Sequence, residues 1–458
     1  MNTNVQSDFQ KSLNFIKKKE YKNALEILLN LKNKNSRDPN VLFYLGLIYA
    51  ETNNIEKSIF FYEQLLKDQA NSLNALYNLA GVKQFLGEIK PAKEIYLKLK
   101  ELDKDSVKPF YGLFTLDPEY LSEKDYETIK DIREKKMPSL YDFGVINFLL
   151  SKKEKKKKNI INEFELLKSF HTSVFDSKYQ YNMSARFYYN QIINNNYDKI
   201  KFINNYEDTS KSDFMPIFIV GLPRSGSTLI ESILKSSKEN IKSLGECNII
   251  NASVLEQIGP KIYNKDFNIK NFEFVIDQDE FKKRALFRYS QINIDDNPNI
   301  TFIDKSLENI FNVEIIINSF PNAKFLHTHR NFYDSVFSIY QSMLPELAWT
   351  NSIKDILDYM DSSMKAMNYF KKKYSQNILE INLEEFSQSA EQFTKKIYDF
   401  CNLTWNNKSL EFYKRKDLFT KTLSFSQVRS PVTSYNSDKY KDYHYLINDY
   451  KKSYDWLK

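Results

Sequence analysis

The sequence predicts a chain in two parts, an N-terminal all-α solenoid and a C-terminal α/β domain with a parallel sheet. Three observations carry this reading. Tyr21, Ile55 and Ile89 stand in equivalent places of a motif that recurs every 34 residues. A glycine loop at 221–228 joins an apolar run to a helical stretch. From Met215 onward, short apolar runs alternate with helical segments. Strands separated by helices imply right-handed βαβ units, and therefore a parallel sheet.

The repeat comes first in the chain. Ala24, Ser58 and Ala92 are in register, as are Leu28, Tyr62 and Tyr96, and Leu31, Leu65 and Leu99. Leu45-Gly46 aligns with Leu79-Ala80. Small residues let two helices cross closely, and large apolar residues fill the space around them. This pattern resembles the tetratricopeptide repeat, with one helix pair per repeat stacked into a solenoid. Clear repeats cover 5–106, and degenerate helices continue to about 205. Within that second stretch 143–150 and 160–170 read as a helix pair. The lysine run 152–158 reads as a solvated turn between them, because it lacks the interleaved aromatics of a nucleic-acid surface. The polar, Asn-rich stretch 181–204 reads as a boundary, giving domains at 1–205 and 206–458.

Composition narrows the classes of function. With 458 residues, 42% hydrophobic and 15% aromatic, the chain can bury a sizeable core. Residues 1–11 are polar with no apolar stretch after them, so no signal segment is expected. No apolar run approaches the roughly 20 residues of a membrane helix, so no membrane span is expected. Cys247 and Cys401 make neither a disulfide framework nor a metal site and read as free thiols, consistent with a cytoplasmic protein. The net charge of +7 suits an anionic ligand, although most of it reads as lysine-rich surface. No nucleic-acid partner is expected.

The loop carries the chemistry. An apolar strand at 215–220 runs into Gly221-Leu-Pro-Arg-Ser-Gly-Ser-Thr228, and a helix follows over 228–234. Strand, glycine loop and helix together form a P-loop-like cradle, in which backbone N–H groups face a phosphate. The nucleotide triphosphatase pattern places a lysine where this chain has Ser227. That lysine reaches the β- and γ-phosphates, so its absence points to a donor without a γ-phosphate, such as 3'-phosphoadenylyl sulfate. Arg224, Ser225, Gly226, Ser227 and Thr228 would then hold the 5'-phosphosulfate. Further strands read at 300–303, 323–329 and 377–382, the last followed by a helix to 400. Ligands bind beyond the carboxyl ends of such strands, which groups the loop with Lys305 and Arg330. Ser338 lies eight residues after Arg330, in the next helix, and a guanidinium and a hydroxyl together suit a terminal phosphate.

At this point the chain resembles the sulfotransferases that use 3'-phosphoadenylyl sulfate. The segment 217–234 looks like their 5'-phosphosulfate loop, and 323–338 like their 3'-phosphate segment. The stretch from Leu383-Glu-Glu-Phe386 to Phe400-Cys-Asn-Leu-Thr-Trp405 is similar to the segment that follows in the family. Ser426-Gln-Val-Arg-Ser-Pro-Val432 looks like the C-terminal Gln-Val-x-x-Pro segment of the tyrosylprotein-sulfotransferase-like branch. The fusion to tetratricopeptide repeats resembles the bacterial members of that branch. The resemblance implies an α/β P-loop-like sulfotransferase domain and donor contacts at Ser426 and Arg429. It implies Glu246, of Gly245-Glu246, as the general base, and Lys305 as the cation that stabilises the transferring group. The family has proline shortly after that lysine, where this chain has Ser306-Leu307.

The reaction so implied is transfer of a sulfuryl group to a hydroxyl acceptor, leaving adenosine 3',5'-bisphosphate, with no metal. His327 and His329 share a strand face, and His329 is the rival base. The acceptor class is open, with protein tyrosine, glycan, lipid and small-metabolite hydroxyls all candidates. The repeat groove suggests a peptide or protein partner. Two alternatives are a P-loop nucleotide kinase or other phosphotransferase, and a repeat scaffold with an inert nucleotide-binding domain.

Overall fold

A computed structural model describes residues 3–204, 215–239, 241–292, 301–415, 417–432, 435 and 439–457. The chain divides into two units, one of Met1–Asp125, Lys282–Ile300 and Tyr413–Arg429, the other of Tyr126–Phe281, Thr301–Phe412 and Ser430–Lys458.

The first unit holds α1 (Thr3–Lys17), α2 (Tyr21–Lys34), α3 (Pro39–Glu51), α4 (Ile55–Asp68), α5 (Leu73–Leu86), α6 (Ile89–Leu102) and α7 (Lys108–Leu116). Each helix packs on the next. The in-register residues form the buried stripes: Ala24, Leu28 and Leu31 in α2, Ser58, Tyr62 and Leu65 in α4, Ala92, Tyr96 and Leu99 in α6. The Asp38 side chain caps α3, with Pro39 in its first turn, a pairing that satisfies orphan N–H groups and presets the backbone. A Cβ on Gly46 would lie 2.7 Å from the Tyr62 ring, and Ser58 Oγ donates to Gly46 O at 2.8 Å. Glycine at 46 thus permits the close crossing of α3 and α4.

The second unit begins within α8 (Glu123–Lys135), followed by α9 (Leu140–Lys156), α10 (Ile160–Ser177), α11 (Tyr179–Phe187), a π-helical turn at Tyr188–Ile193 and the short α12 (Asn194–Asn196). Its strands are β1 (Lys201–Ile203), β2 (Ile217–Gly221), β3 (Lys242–Ser243), β4 (Val275–Asp277), β5 (Phe302–Asp304), β6 (Lys324–His329) and β7 (Ile378–Asn382). Between and after them run α13 (Ser227–Lys235), α14 (Ile249–Ile262), α15 (Gln278–Ile292), α16 (Val313–Ser319), α17 (Phe332–Tyr340), α18 (Ile353–Lys373), α19 (Leu383–Gln388) and α20 (Ala390–Phe400). Residues of α15 from Lys282 on belong to the first unit.

Among the described residues the main sheet has five strands in the order β3-β5-β2-β6-β7, and β1 pairs with β4 separately. Every pairing is parallel. All five residues of the central β2 are buried, as a strand covered on both faces requires. Because the five strands run the same way, the segments leaving β2, β3, β5 and β6 emerge at one edge of the sheet. The strand expected at 300–303 is β5, two residues later; Ile300 lies outside the described residues. Strands β1, β3 and β4, of two or three residues each, are too short to show a sequence period.

Two expectations are corrected. The stretch 181–204 is not a boundary: it is helical and then forms β1. Its Tyr188, Tyr189, Ile192 and Ile193 are buried, and Tyr188 Oη donates to Asn251 Oδ1 at 3.0 Å. Helices α9–α12 therefore group with the sheet and not with the repeats, and the expected division at 205 falls inside the second unit. The lysine run is not a solvated turn either. Helix α9 continues to Lys156, and Lys152 donates to Gln341 O at 2.5 Å. Hydrophobic patterning missed both because buried tyrosines and long lysine stems count as polar in sequence.

Candidate functional site

The segment leaving β2 makes a tight loop. Gly226 takes φ 93 as the N-cap of α13, and a Cβ there would lie 2.7 Å from Leu383 Cδ1, so the position suits glycine alone. Arg224 holds φ 66, a left-handed conformation costly for a side-chain-bearing residue. Ser225 Oγ donates to Leu222 O at 2.6 Å and lies 2.8 Å from Thr328 Oγ1, tying the loop to β6. Ser227 and Thr228 open α13, where first-turn N–H groups have no helical acceptor. Burial, and then the neighbouring Arg330, depress the pKa of the Arg224 guanidinium, against the opposing pull of Tyr440.

Strand β6 delivers Arg330 at the same edge. Its Nη2 donates to Asp334 O at 2.7 Å, and its guanidinium carbon lies 5.9 Å from the ring centres of both Tyr435 and Tyr440. Its Nε is buried and unpartnered among the described residues. Ser338, 4% exposed, lies near the Tyr440 hydroxyl. Burial works against ionisation of that phenol. Lys439, Ser338, Arg330 and Lys155 nevertheless hold its pKa below the ordinary tyrosine value.

Strands β3 and β5 build an acidic half. Lys305, 1% exposed, places Nζ 2.7 Å from Glu246 Oε1 and 3.7 Å from Glu231 Oε2. Burial alone would depress the lysine's pKa, but Glu246 and Glu231 more than offset it and the net shift is upward. Glu231 also accepts from Ser243 Oγ at 2.5 Å. The two strand ends are stitched together. Lys305 N donates to Gly245 O at 2.9 Å, and Asn248 N donates to Ser306 Oγ at 2.8 Å. Ser306, where the resemblance leads one to expect proline, thereby fixes the turn that carries Glu246 against the segment that carries Lys305.

Glu308, one turn after Lys305, was not anticipated. Part of its surface reaches solvent, yet burial pushes its carboxyl up to about 7, with Glu246 adding to the shift and the Tyr189 and Trp349 side chains opposing it. Tyr189 lies beside it. The aromatic wall behind consists of Tyr189, Phe311, Tyr359 and Trp349, the last stacked on Tyr359 at 3.7 Å. Three-residue spacing from Lys305 was the only sequence clue.

The expected residues fall into three groups. Arg224, Arg330 and Ser338 meet around Tyr440, next to Ser225, Gly226, Ser227 and Thr228. Glu246 and Lys305 form one ion pair. Ser426 and Arg429 belong to the first unit. There Arg429 Nη2 donates to Phe85 O at 2.9 Å and Leu418 O at 2.8 Å, while its Nε is buried and unpartnered among the described residues. His327 and His329 share a face of β6 with ring centres 5.4 Å apart. His327 Nδ1 lies 3.7 Å from Glu380. Burial and then His327 depress the pKa of His329.

Residues 216–407 match the model of the Sulfotransferase family. An uncharacterized protein of Aquifex aeolicus (strain VF5) is 28% identical over 238 residues, 50% of this chain. The chain spans only 30% of the length of that curated relative. Solved structures similar to it include the sulfotransferase domain of the Synechococcus PCC 7002 olefin synthase, with 16% identity, a TM-score of 0.36, and coverage of 50% of this chain and 87% of that one. Another is sulfotransferase STF1 of Mycobacterium tuberculosis H37Rv, at 10% identity and a TM-score of 0.32, covering 68% and 98%. No helix among the described residues is long and apolar enough to cross a membrane.

Proposed function

We propose that the second unit transfers a sulfuryl group from 3'-phosphoadenylyl sulfate to a hydroxyl acceptor. The observation that carries this reading is the pairing of a lysine-less phosphate loop with Lys305, a buried cation held between Glu246 and Glu231 at the end of the neighbouring strand. A cation there faces the transferring group, where the triphosphatase lysine would have faced a γ-phosphate. In this reading the loop N–H groups, with Arg224, Ser225, Ser227 and Thr228, hold the 5'-phosphosulfate, and Arg330 and Ser338 hold the 3'-phosphate. Glu246 takes the acceptor's proton as the acceptor oxygen bonds to sulfur. The bond from sulfur to the bridging phosphate oxygen breaks, and adenosine 3',5'-bisphosphate leaves with its charge stabilised by Lys305. Positioning and fixed positive charge supply most of the acceleration in such a transfer. No step calls on a metal.

The helical repeats read as tetratricopeptide repeats offering a groove for a peptide or protein partner. A macromolecular acceptor, with a tyrosine or glycan hydroxyl, follows from that reading by analogy of fold.

Calorimetry tests the donor. The bisphosphate product should bind far more tightly than ATP and without Mg²⁺. Arg330→Ala should remove about 1.5–3 kcal/mol from binding of the bisphosphate, with little effect on adenosine 5'-phosphosulfate. Equal affinity for ATP, or a requirement for Mg²⁺, would return the reading to a phosphotransferase.

A further inference from the structure

Helix α9 turns two lysines of its basic run toward the anion site. Lys152 Nζ donates to Gln341 O at 2.5 Å, and Lys155 Nζ to Gln341 Oε1. Gln341 is the C-cap of α17, the helix that carries Ser338. Lys155 Nζ lies 5.6 Å from the centre of the Tyr440 ring and 5.5 Å from that of Tyr443. Lys439 Nζ is 5.3 Å and the Arg330 guanidinium carbon 5.9 Å from the same Tyr440 ring. One aromatic ring therefore has three cations within about 6 Å, while its hydroxyl lies near Ser338. Lys152 stands behind them, close enough to feel Lys155 and Lys439.

The carboxylates that face this cluster are fewer. Glu163 of α10 accepts from Tyr443 Oη at 2.8 Å, and its other oxygen is buried and unpartnered among the described residues. Asp334, beside Arg330, accepts from Tyr435 and lies 3.7 Å from His444 Nε2. Glu384 near Tyr435 and the exposed Asp442 near Tyr443 complete the carboxylates, which face the cations Lys152, Lys155, Lys439, Arg330 and Arg224. Lys439 is exposed and the other lysines and Arg330 are half-buried, so water screens this positive charge in part, and an anion joining it would gain charge-assisted contacts. The titration behaviour agrees. Burial, with Lys155 and Lys439, pushes Lys152 down to about 7, against the pull of Glu163. Burial raises Glu163, although Tyr443 and the two lysines oppose it.

A capping role at the carboxyl end of α17 accounts for one cation and leaves the second unexplained. A lysine ammonium has three donors, and one from each suffices for Gln341. Building on the donor reading above, we propose that Lys152 and Lys155 are phosphate-binding residues that complete the 3'-phosphate site with Arg330 and Ser338, so that the helical segment before the sheet forms one wall of the nucleotide site.

The test is calorimetry on the full chain and its Lys152→Met and Lys155→Met variants. The two probes are adenosine 3',5'-bisphosphate and adenosine 5'-phosphosulfate, which lacks the 3'-phosphate. Removing one of several cations leaves the others to face Glu163, and melting temperatures check that each variant folds. Each methionine variant should weaken the bisphosphate by about tenfold or more, as loss of a charge-assisted contact does, and change the phosphosulfate less than about twofold. Arginine at either position should restore most of the affinity. At pH 8 the wild type should take up a proton on binding the bisphosphate, read from heats in two buffers, and Lys152→Met should take up less. Unchanged bisphosphate affinity with a lowered melting temperature would mean that the lysines only cap α17, and would overturn the assignment. So would equal losses for both nucleotides. If the wild type binds neither probe, the donor reading itself falls and this inference with it.

Discussion

Lys305→Met tests the ion cluster that joins the strand ends of β3 and β5. The lysine is 1% exposed and the Glu231 side chain 9%, whereas Glu246 is 57% exposed. Removing the cation strands Glu231 in the interior with the Ser243 hydroxyl still donating to it. Leaving one partner of a buried pair uncompensated costs about 3–5 kcal/mol. The Glu246 arm is screened by water and adds little, and Ser243 remains, so a loss of about 3 kcal/mol is expected. For a unit of this size that lowers its melting transition by about 5 °C. Adding Glu231→Gln removes the stranded charge and should restore most of the loss. Turnover should not recover, because a fixed cation on the transferring group contributes roughly 10²–10³-fold. Scanning calorimetry and release of the bisphosphate from 3'-phosphoadenylyl sulfate read the two effects separately. The pair also has a pH limit. The lysine's folded pKa is raised above its ordinary 10.5, so its contribution is fully present below that value and is lost as pH climbs through the raised one. An unchanged melting transition in Lys305→Met, or turnover restored by Glu231→Gln, would refute the reasoning.

Three further outcomes are expected. Glu246→Gln should lower turnover by roughly 10²–10⁴-fold and leave bisphosphate affinity nearly unchanged; a large loss in His329→Gln with near-normal Glu246→Gln would reassign the base. Glu308 binds a proton more tightly in the folded state, with a pKa near 7 in place of 4.5, so it costs stability as pH rises from 4.5 through 7. Glu308→Gln should flatten the melting-temperature profile over that range, and parallel profiles would contradict the burial of its carboxylate. A chain beginning at Asn205 loses Tyr188 against Asn251 and His171 Nε2 against Tyr340 O at 2.8 Å. It should expose apolar surface and bind a hydrophobic dye, whereas a cooperative melting transition would show that the sheet does not need α9–α12.

Local rules made part of this protein legible from sequence. The period of 34 residues reflects which side chains a helix pair buries, and the buried stripes of α2, α4 and α6 are the residues that recur. The loop at 221–228 is legible because glycine, an apolar strand and a following helix are neighbours in the chain. Strand ends of a parallel sheet share an edge, so Lys305 and Arg330 could be grouped with the loop before any coordinates. Tertiary structure decided the rest. Lys152 looks like solvated surface in a run of lysines, and only the packing of α9 against the end of α17 shows that it is turned inward. Glu308 looks like any loop carboxylate until Tyr189 and Trp349 enclose it. Arg429, in a segment that resembles a donor contact, bonds to Phe85 O and Leu418 O because its segment folds with the helical repeats. Residues that share an element are ordered by its period, which sequence records. Which charges meet across elements depends on desolvation and on partners brought from distant positions, and those exist only once the chain has folded.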